Sequence, residues 1–142
     1  MVCMFLMPKL YGLTVEVGDF FRIEKIRFQK GKLILPLSKK QYADVRILGR
    51  ETYDFLHTCQ GLKSCKQPFQ KANIEVENVR PAKTRPDVWI ADVSFNNQWQ
   101  LTFLVVADGE KRSLKVPPHV VFLDLALEQQ IRARVLEKIT DL

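Results

Sequence analysis

Two runs of alternating apolar and polar residues, separated by a short turn sequence, constrain the fold of this chain more than any other feature. Residues 88–95 carry four apolar side chains at every second position, and residues 99–107 carry five. A period of two places such side chains on one face of a β-strand. Asn96 and Asn97 between the runs tolerate the positive φ angles that tight hairpin turns need. The pattern therefore predicts an antiparallel β-hairpin.

Weaker alternating runs occur on both sides of this hairpin. They cover residues 10–17, 20–28, 33–37, 42–48, 72–79 and 113–116. In the second of them the alternation breaks between Ile23 and Ile26, which indicates either a bulge or an irregular strand. Pro36 has no backbone N–H, so it pushes its run to a sheet edge or shortens it. Residues 62–71 have no clear period, and we predict a loop there.

Two segments change to a helical period. In residues 50–60 the apolar side chains fit a short helix, and Gly61 is well placed to end it. Residues 123–142 keep one apolar stripe at a spacing of three or four residues, which predicts a long C-terminal amphipathic helix. The stripe consists of Leu123, Leu127, Ile131, Val135, Leu136, Ile139 and Leu142.

The order of these elements is strands, a short helix, strands and a long helix. This order predicts the α+β fold class, with a mainly antiparallel sheet of six to seven short strands and a helix that covers one face or closes one end. The spacing of the strands also allows a small barrel. The chain has no repeat and no linker-like segment, and its 142 residues suffice for one core. We therefore predict a single domain over residues 1–142.

The basic residues are concentrated in one part of the chain. Between Arg22 and Arg85 there are fifteen Lys or Arg and six Asp or Glu, a net charge of +9 in a chain whose total is +6. Residues 87–110, which we call the acidic segment, contain four acids and no base. A locally basic stretch favours an anionic partner, and nucleic acid is the commonest one.

The basic turns and loops therefore predict a non-enzymatic binding module for a polyanion, above all nucleic acid, carried on a β-scaffold. The candidate nucleic-acid-binding residues are Arg22, Lys25, Arg27, Lys30, Lys32, Lys39, Lys40, Arg46, Arg50, Lys63, Lys66, Arg80, Lys83 and Arg85. The alternative is an assembly or accessory protein that acts through protein–protein contacts, as a homodimer or with another partner. It follows from the opposite signs of the acidic segment and the basic part, which could attract each other across an interface.

No combination of residues indicates catalysis or a cofactor. His57 and Cys59 lie two apart on the predicted helix and do not face each other, and nothing completes a triad around His119. His57, Cys59 and Cys65 lie within nine residues, but their spacing matches no usual zinc pattern, and a structural site needs four ligands. We predict no enzyme activity and no cofactor, and we leave open whether these three residues bind a metal.

The cysteine count and the N-terminal segment bear on where the protein works. Three scattered cysteines argue against a secreted disulfide framework, so we predict a cytoplasmic protein. The apolar segment Met1–Met7 lacks the basic residues of a signal peptide, and it is far shorter than the roughly 20 residues that span a bilayer. We therefore predict no membrane association.

Overall fold

Ten strands and two helices form the part of the chain that the structure, a computed structural model, describes, namely residues 12–36 and 43–140. In chain order they are β1 (Leu13–Val17), β2 (Phe21–Gln29), β3 (Lys32–Ile34), β4 (Val45–Ile47), α1 (Arg50–Thr58), β5 (Ser64–Gln67), β6 (Ile74–Pro81), β7 (Val88–Phe95), β8 (Trp99–Asp108), β9 (Lys111–Lys115), β10 (Val120–Phe122) and α2 (Leu125–Thr140). The α+β class, with one short helix and one longer C-terminal helix, is confirmed. Met1–Met7 lies outside these ranges.

The strands pair into two sheets of five strands each. The first has the order β10-β2-β1-β5, and β3 pairs with β2 on the same edge as β10. The second has the order β4-β8-β7-β6, and β9 pairs with β8 on the same edge as β4. All of these pairs are antiparallel except β1 with β5. The ten strands do not close into a barrel, and they outnumber the six to seven predicted. β5 and β10, which lie in none of the alternating runs, have only four and three residues.

The hairpin of β7 and β8 confirms the prediction from the strongest alternating runs. Its register begins with the pair Phe95↔Trp99 beside the turn and continues without interruption along both strands. Asn96 and Asn97 have φ angles of 53° and 54°, so the turn uses the left-handed conformation that asparagine tolerates. The apolar side chains on the inner face of β8 are buried and belong to the core, which lies between the two sheets and α2.

A bulge in β2 lies where the alternation breaks, as predicted. The strands β1 and β2 pair at Val15↔Ile23 and again at Leu13↔Ile26, so β2 has one residue more than β1 across this interval. Lys25 in the bulge has a φ angle of 64°. Because a bulge bends its strand, the last residues of β2 leave the first sheet at a new angle.

Helix α2 packs on β6 and β7. The members of the predicted stripe that are buried are Leu127, Ile131, Val135 and Ile139. Asp124 caps the helix, because its Oδ1 accepts the N–H of Ala126 at 2.9 Å. The helix therefore begins at Leu125, and Leu123 lies outside it and is exposed, contrary to the prediction. Leu142 lies outside the described residues. Neither α1 nor α2, the helices in this part of the chain, combines the length and apolar content that a membrane crossing requires.

The prediction of a loop over residues 62–71 is wrong, because Ser64–Gln67 forms β5, parallel to β1. The side chains that β5 turns inward are Cys65 and Gln67 rather than aliphatic residues. Cys65 forms a disulfide with Cys59 directly after α1, and the Gln67 amide makes two buried hydrogen bonds. β5 therefore lacks the apolar alternation by which strands are recognised. β10 is equally hard to detect in the sequence because it has only three residues.

Candidate nucleic-acid interface

Twelve of the fourteen candidate bases fall into three local groups on the folded chain. Arg22, Lys25, Arg27, Lys30 and Lys32 lie along β2, β3 and their turn; Arg46, Arg50, Lys63 and Lys66 lie on or beside β4, α1 and β5; Arg80, Lys83 and Arg85 lie at the end of β6 and in the loop after it. Lys39 and Lys40 lie outside the described residues. The groups differ in how many of their bases already contact an acid.

The β2–β3 hairpin carries the most uniformly basic group. Residues 25–36 contain no acid and four bases, which are Lys25, Arg27, Lys30 and Lys32. All four are exposed, and none of them forms an ion pair with another residue of the described ranges. The hairpin therefore presents four positive charges that no ion pair within the described ranges neutralises.

This hairpin is a two-stranded ribbon with an apolar inward face and an outward face, here called the basic face, that carries the bases. Within the described ranges β3 pairs only with β2, at Phe28↔Leu33 and the two neighbouring positions. Phe28 and Leu33 are half-buried against the core, and the centroids of the Phe28 and His57 rings lie 5.4 Å apart. Because side chains alternate along a strand, Arg27 and Lys32 lie on the opposite, outward face.

Backbone conformation fixes both ends of the ribbon. Lys30 and Gly31 have φ angles of 53° and 78°, the left-handed conformation that a tight hairpin turn requires. At the other end, a Cβ on Gly12 would lie 2.8 Å from the Lys25 Cα, so only glycine lets the bulge come this close to the chain entering β1. Each end thus places a lysine in the left-handed region, at the border of the basic face.

Several other candidate bases already contact acids. The pairs are Arg22 with Glu24, Arg50 with Asp54 and Lys66 with Asp19, at 3.4, 3.2 and 2.5 Å. The hydrogen bond to Asp19 and the charge of that carboxylate raise the pKa of Lys66 above its ordinary value. Arg46 is exposed on β4, and Lys63 directly precedes β5. A base beside an acid projects a weaker positive field than an unpaired base. The group along β2 and β3 is therefore favoured as an anion site over the group around β4, α1 and β5.

The third group combines bases with members of the acidic segment. Arg80 Nη1 donates to Asp92 Oδ2 at 3.0 Å, and Asp92 Oδ1 accepts a hydrogen bond from Thr102 Oγ1 at 2.7 Å. Arg85 Nη2 lies 3.4 Å from Asp87 Oδ2. Two of the four acids of the segment thus pair with nearby bases, and part of the charge imbalance seen along the sequence is balanced inside the domain.

A cavity of about 530 Å³ lies beside this third group, and its floor contains none of the candidate residues named from the sequence. The floor consists of Val88, Ile90, Leu104 and Val106. These four residues occupy outward positions of β7 and β8. In strands with one buried face, such positions are usually polar. In the sequence, the cavity floor is therefore indicated by aliphatic residues at consecutive outward positions of the two strands.

The metal site left open at His57, Cys59 and Cys65 has no support from the geometry. Cys59 and Cys65 are joined in a disulfide, and in that state neither can act as a thiolate ligand. His57 Nδ1 lies 2.9 Å from the Tyr53 carbonyl oxygen. Within residues 12–36 and 43–140, no group of three His, Cys, Asp or Glu side chains is arranged to hold a metal ion.

Comparisons of the chain with protein-family models, with curated proteins and with solved structures find no match. No relative therefore supplies a ligand or a functional residue. The features of the molecule that bear on its function are the basic ribbon of β2 and β3 and the charges around it.

Proposed function

We propose that this protein is a binding module for a polyanion, above all nucleic acid, and that the outward face of the β2–β3 hairpin is its principal contact. The observation that carries the proposal is the set of four exposed bases over residues 25–36, without an acid in the segment and without an ion-pair partner among the described residues. Bases that neutralise phosphates release bound cations, which is the main source of sequence-independent affinity for nucleic acid.

The shape of the hairpin favours contacts to the phosphate backbone over contacts to bases. Phe28, the aromatic residue of segment 25–36, faces the core, so this segment offers no ring on its basic face on which a base could stack. A two-stranded ribbon can enter the major groove of a duplex, and phosphate contacts position a protein without reading sequence. We therefore expect binding that depends strongly on salt and weakly on sequence.

The triple variant Arg27→Gln, Lys30→Asn, Lys32→Gln tests this proposal. Asparagine at position 30 suits the positive φ angle of the turn. Because each lost phosphate contact reduces the slope of log K against log salt by about 0.9, the slope should become shallower by roughly 2–3. The measurement is fluorescence anisotropy of a labelled duplex and of a labelled single strand between about 50 and 200 mM salt.

A matched control separates a local site from total charge. The variant Lys111→Gln, Lys115→Gln, Lys138→Gln removes the same charge from exposed positions on β9 and α2. We expect it to keep most of the wild-type slope. Equal losses in the two triple variants, or no binding by the wild type at the lowest salt, would rule out the hairpin as the polyanion site.

The alternative, a homodimer or another protein–protein complex, rests on a different surface. Val121, Leu123 and Leu125 are 37%, 42% and 70% exposed, and within the described ranges the edge of β10 away from β2 pairs with no strand. Exposed apolar residues beside a free strand edge favour pairing with a second copy. Light scattering should then give a mass above 16.5 kDa that Leu125→Glu returns to 16.5 kDa. A monomeric mass at every concentration would contradict the homodimer and leave polyanion binding as the better-supported proposal.

A further inference from the structure

The cavity of about 530 Å³ on the outer face of the second sheet has the size of a small-molecule site. Its floor is formed by two neighbouring cross-strand pairs, Val88↔Val106 and Ile90↔Leu104. Farther along the same outward face the strands carry polar side chains instead, so the aliphatic patch is confined to the cavity. A floor of this kind favours an apolar body in the ligand.

The floor also indicates what kind of apolar body fits. Among the described residues that line the cavity there is no Phe, Tyr, Trp or His. A nucleobase is usually held by stacking on an aromatic ring, whereas branched aliphatic side chains suit an alkyl chain. The lining therefore favours an aliphatic chain over a base.

The rim of the cavity defines the charge of the ligand. Arg80, Lys83 and Arg85 line it. Asp92 pairs with Arg80 at 3.0 Å and Asp87 with Arg85 at 3.4 Å, whereas Lys83 is exposed and has no ion-pair partner in residues 12–36 and 43–140. Three positive and two negative side chains leave one positive charge uncompensated. A ligand with one negative charge balances this rim.

Arg80 is the rim residue whose position is best defined. Its guanidinium is held by Asp92, and Asp92 is held in turn by the Thr102 hydroxyl at 2.7 Å. Lys83 is exposed in the loop after β6, and no acid holds its side chain among the described residues. The rim thus combines an arginine held in place by an acid with one exposed lysine that has no ion-pair partner among the described residues.

We propose that this cavity binds an amphipathic monoanion, an aliphatic chain with a carboxylate head, with the chain on the floor of β7 and β8 and the head beside Lys83. This site is separate from the β2–β3 hairpin, which belongs to the other sheet. The proposal therefore stands independently of polyanion binding. The same chemistry is present in a free fatty acid and in a fatty acid inserted in a bilayer.

Calorimetric titration with hexanoate, octanoate and decanoate, each below its micellar concentration, tests the proposal. Burial of a methylene strengthens binding about fourfold, so two more methylenes should strengthen it about 15-fold while the chain still fits. Acetate, which has the head without the chain, should not bind measurably. Decanol, which has the chain without the charge, should bind more weakly than decanoate.

Two exposed lysines give a matched pair of variants. Lys83→Ala should weaken decanoate at least fivefold and leave decanol unchanged, because only the charged head contacts Lys83. Lys111→Ala, on an exposed lysine that does not line the cavity, should leave both unchanged. Ile90→Asn, checked for native circular dichroism, should abolish the dependence on chain length. Equal effects of the two lysine variants, or affinity that is independent of chain length, would overturn the proposal.

Two further measurements define the source of the ligand and the independence of the site. Co-sedimentation with phosphatidylcholine vesicles that contain oleate, in the absence of soluble decanoate binding, would support the same chemistry with a membrane source. Failure of both soluble decanoate and oleate vesicles to bind would reject the proposal. The hairpin triple variant should keep wild-type affinity for decanoate, and a loss there would also contradict a separate site.

Discussion

Phe95→Ala should lower the free energy of unfolding by about 3–5 kcal/mol, the usual range for emptying an aromatic core position. Phe95 is only 2% exposed. Its ring centroid lies 5.1 Å from that of Phe21 and 5.5 Å from those of Phe20 and Phe69. These three rings belong to β2 or to segments beside β1 and β5, so Phe95 is a principal contact between the two sheets. Urea unfolding followed by tryptophan fluorescence measures the loss.

Two variants calibrate this result. Phe95→Leu keeps an apolar side chain in the space and should cost clearly less than alanine, since the cavity it leaves is smaller. Tyr53→Ala removes an aromatic ring that is 43% exposed and should cost less than about 1 kcal/mol. If Phe95→Ala were no worse than Tyr53→Ala, the packing of the two sheets described above would be incorrect.

Gln67→Leu should cost about 2–3 kcal/mol, because it leaves buried polar partners without a hydrogen bond. The Trp99 indole N–H donates to Gln67 Oε1 at 2.9 Å, and Gln67 Nε2 donates to Thr52 Oγ1 at 2.7 Å. The Thr52 hydroxyl donates in turn to Gln98 Oε1 at 2.7 Å. This chain of bonds ties β5 to α1 and to the turn before β8, and each link depends on the next.

The surface residue Gln70 provides the matched control for Gln67. Gln70→Leu makes the same chemical change at an exposed position and should shift stability by less than about 0.5 kcal/mol. A double-mutant cycle with Trp99→Phe should show coupling of about 1 kcal/mol, because either change removes the same hydrogen bond. Strict additivity of Gln67→Leu and Trp99→Phe would mean that the two side chains do not interact.

The elements that could be predicted from the sequence are those whose side chains pack on a single apolar layer. The β7–β8 hairpin and the stripe of α2 show a regular apolar period, which reflects burial on one side, and the bulge in β2 shows as an interruption of such a period. β5 shows none, because its inward positions hold Cys65 and Gln67, whose partners Cys59, Thr52 and Trp99 lie elsewhere in the chain. Its parallel pairing with β1 depends on contacts between distant segments, which a local period does not record.

The two candidate sites could likewise be predicted only in part from the sequence. The bases of the hairpin could be named from the sequence, but Lys66 could not be told apart from them, because its partner Asp19 lies 47 residues away. Part of the cavity floor could be recognised in the sequence, since Val88 and Ile90 are apolar at positions where the alternation predicts polar residues. That these residues form one apolar patch could not be predicted from the sequence, because the patch depends on the register that places Leu104 and Val106 of β8 beside them.

The strand order has a consequence for how the chain is made. In the second sheet β6, β7, β8 and β9 are neighbours both in sequence and in space, so this meander can form as soon as it is synthesised. In the first sheet β2 lies between β1 and β10, and β1 has β5 as its other neighbour. We therefore expect the N-terminal strands to leave the ribosome first and to reach their final pairing last. The β2–β3 hairpin itself pairs locally and can form early, whereas the sheet around it is complete only when β10 has been released.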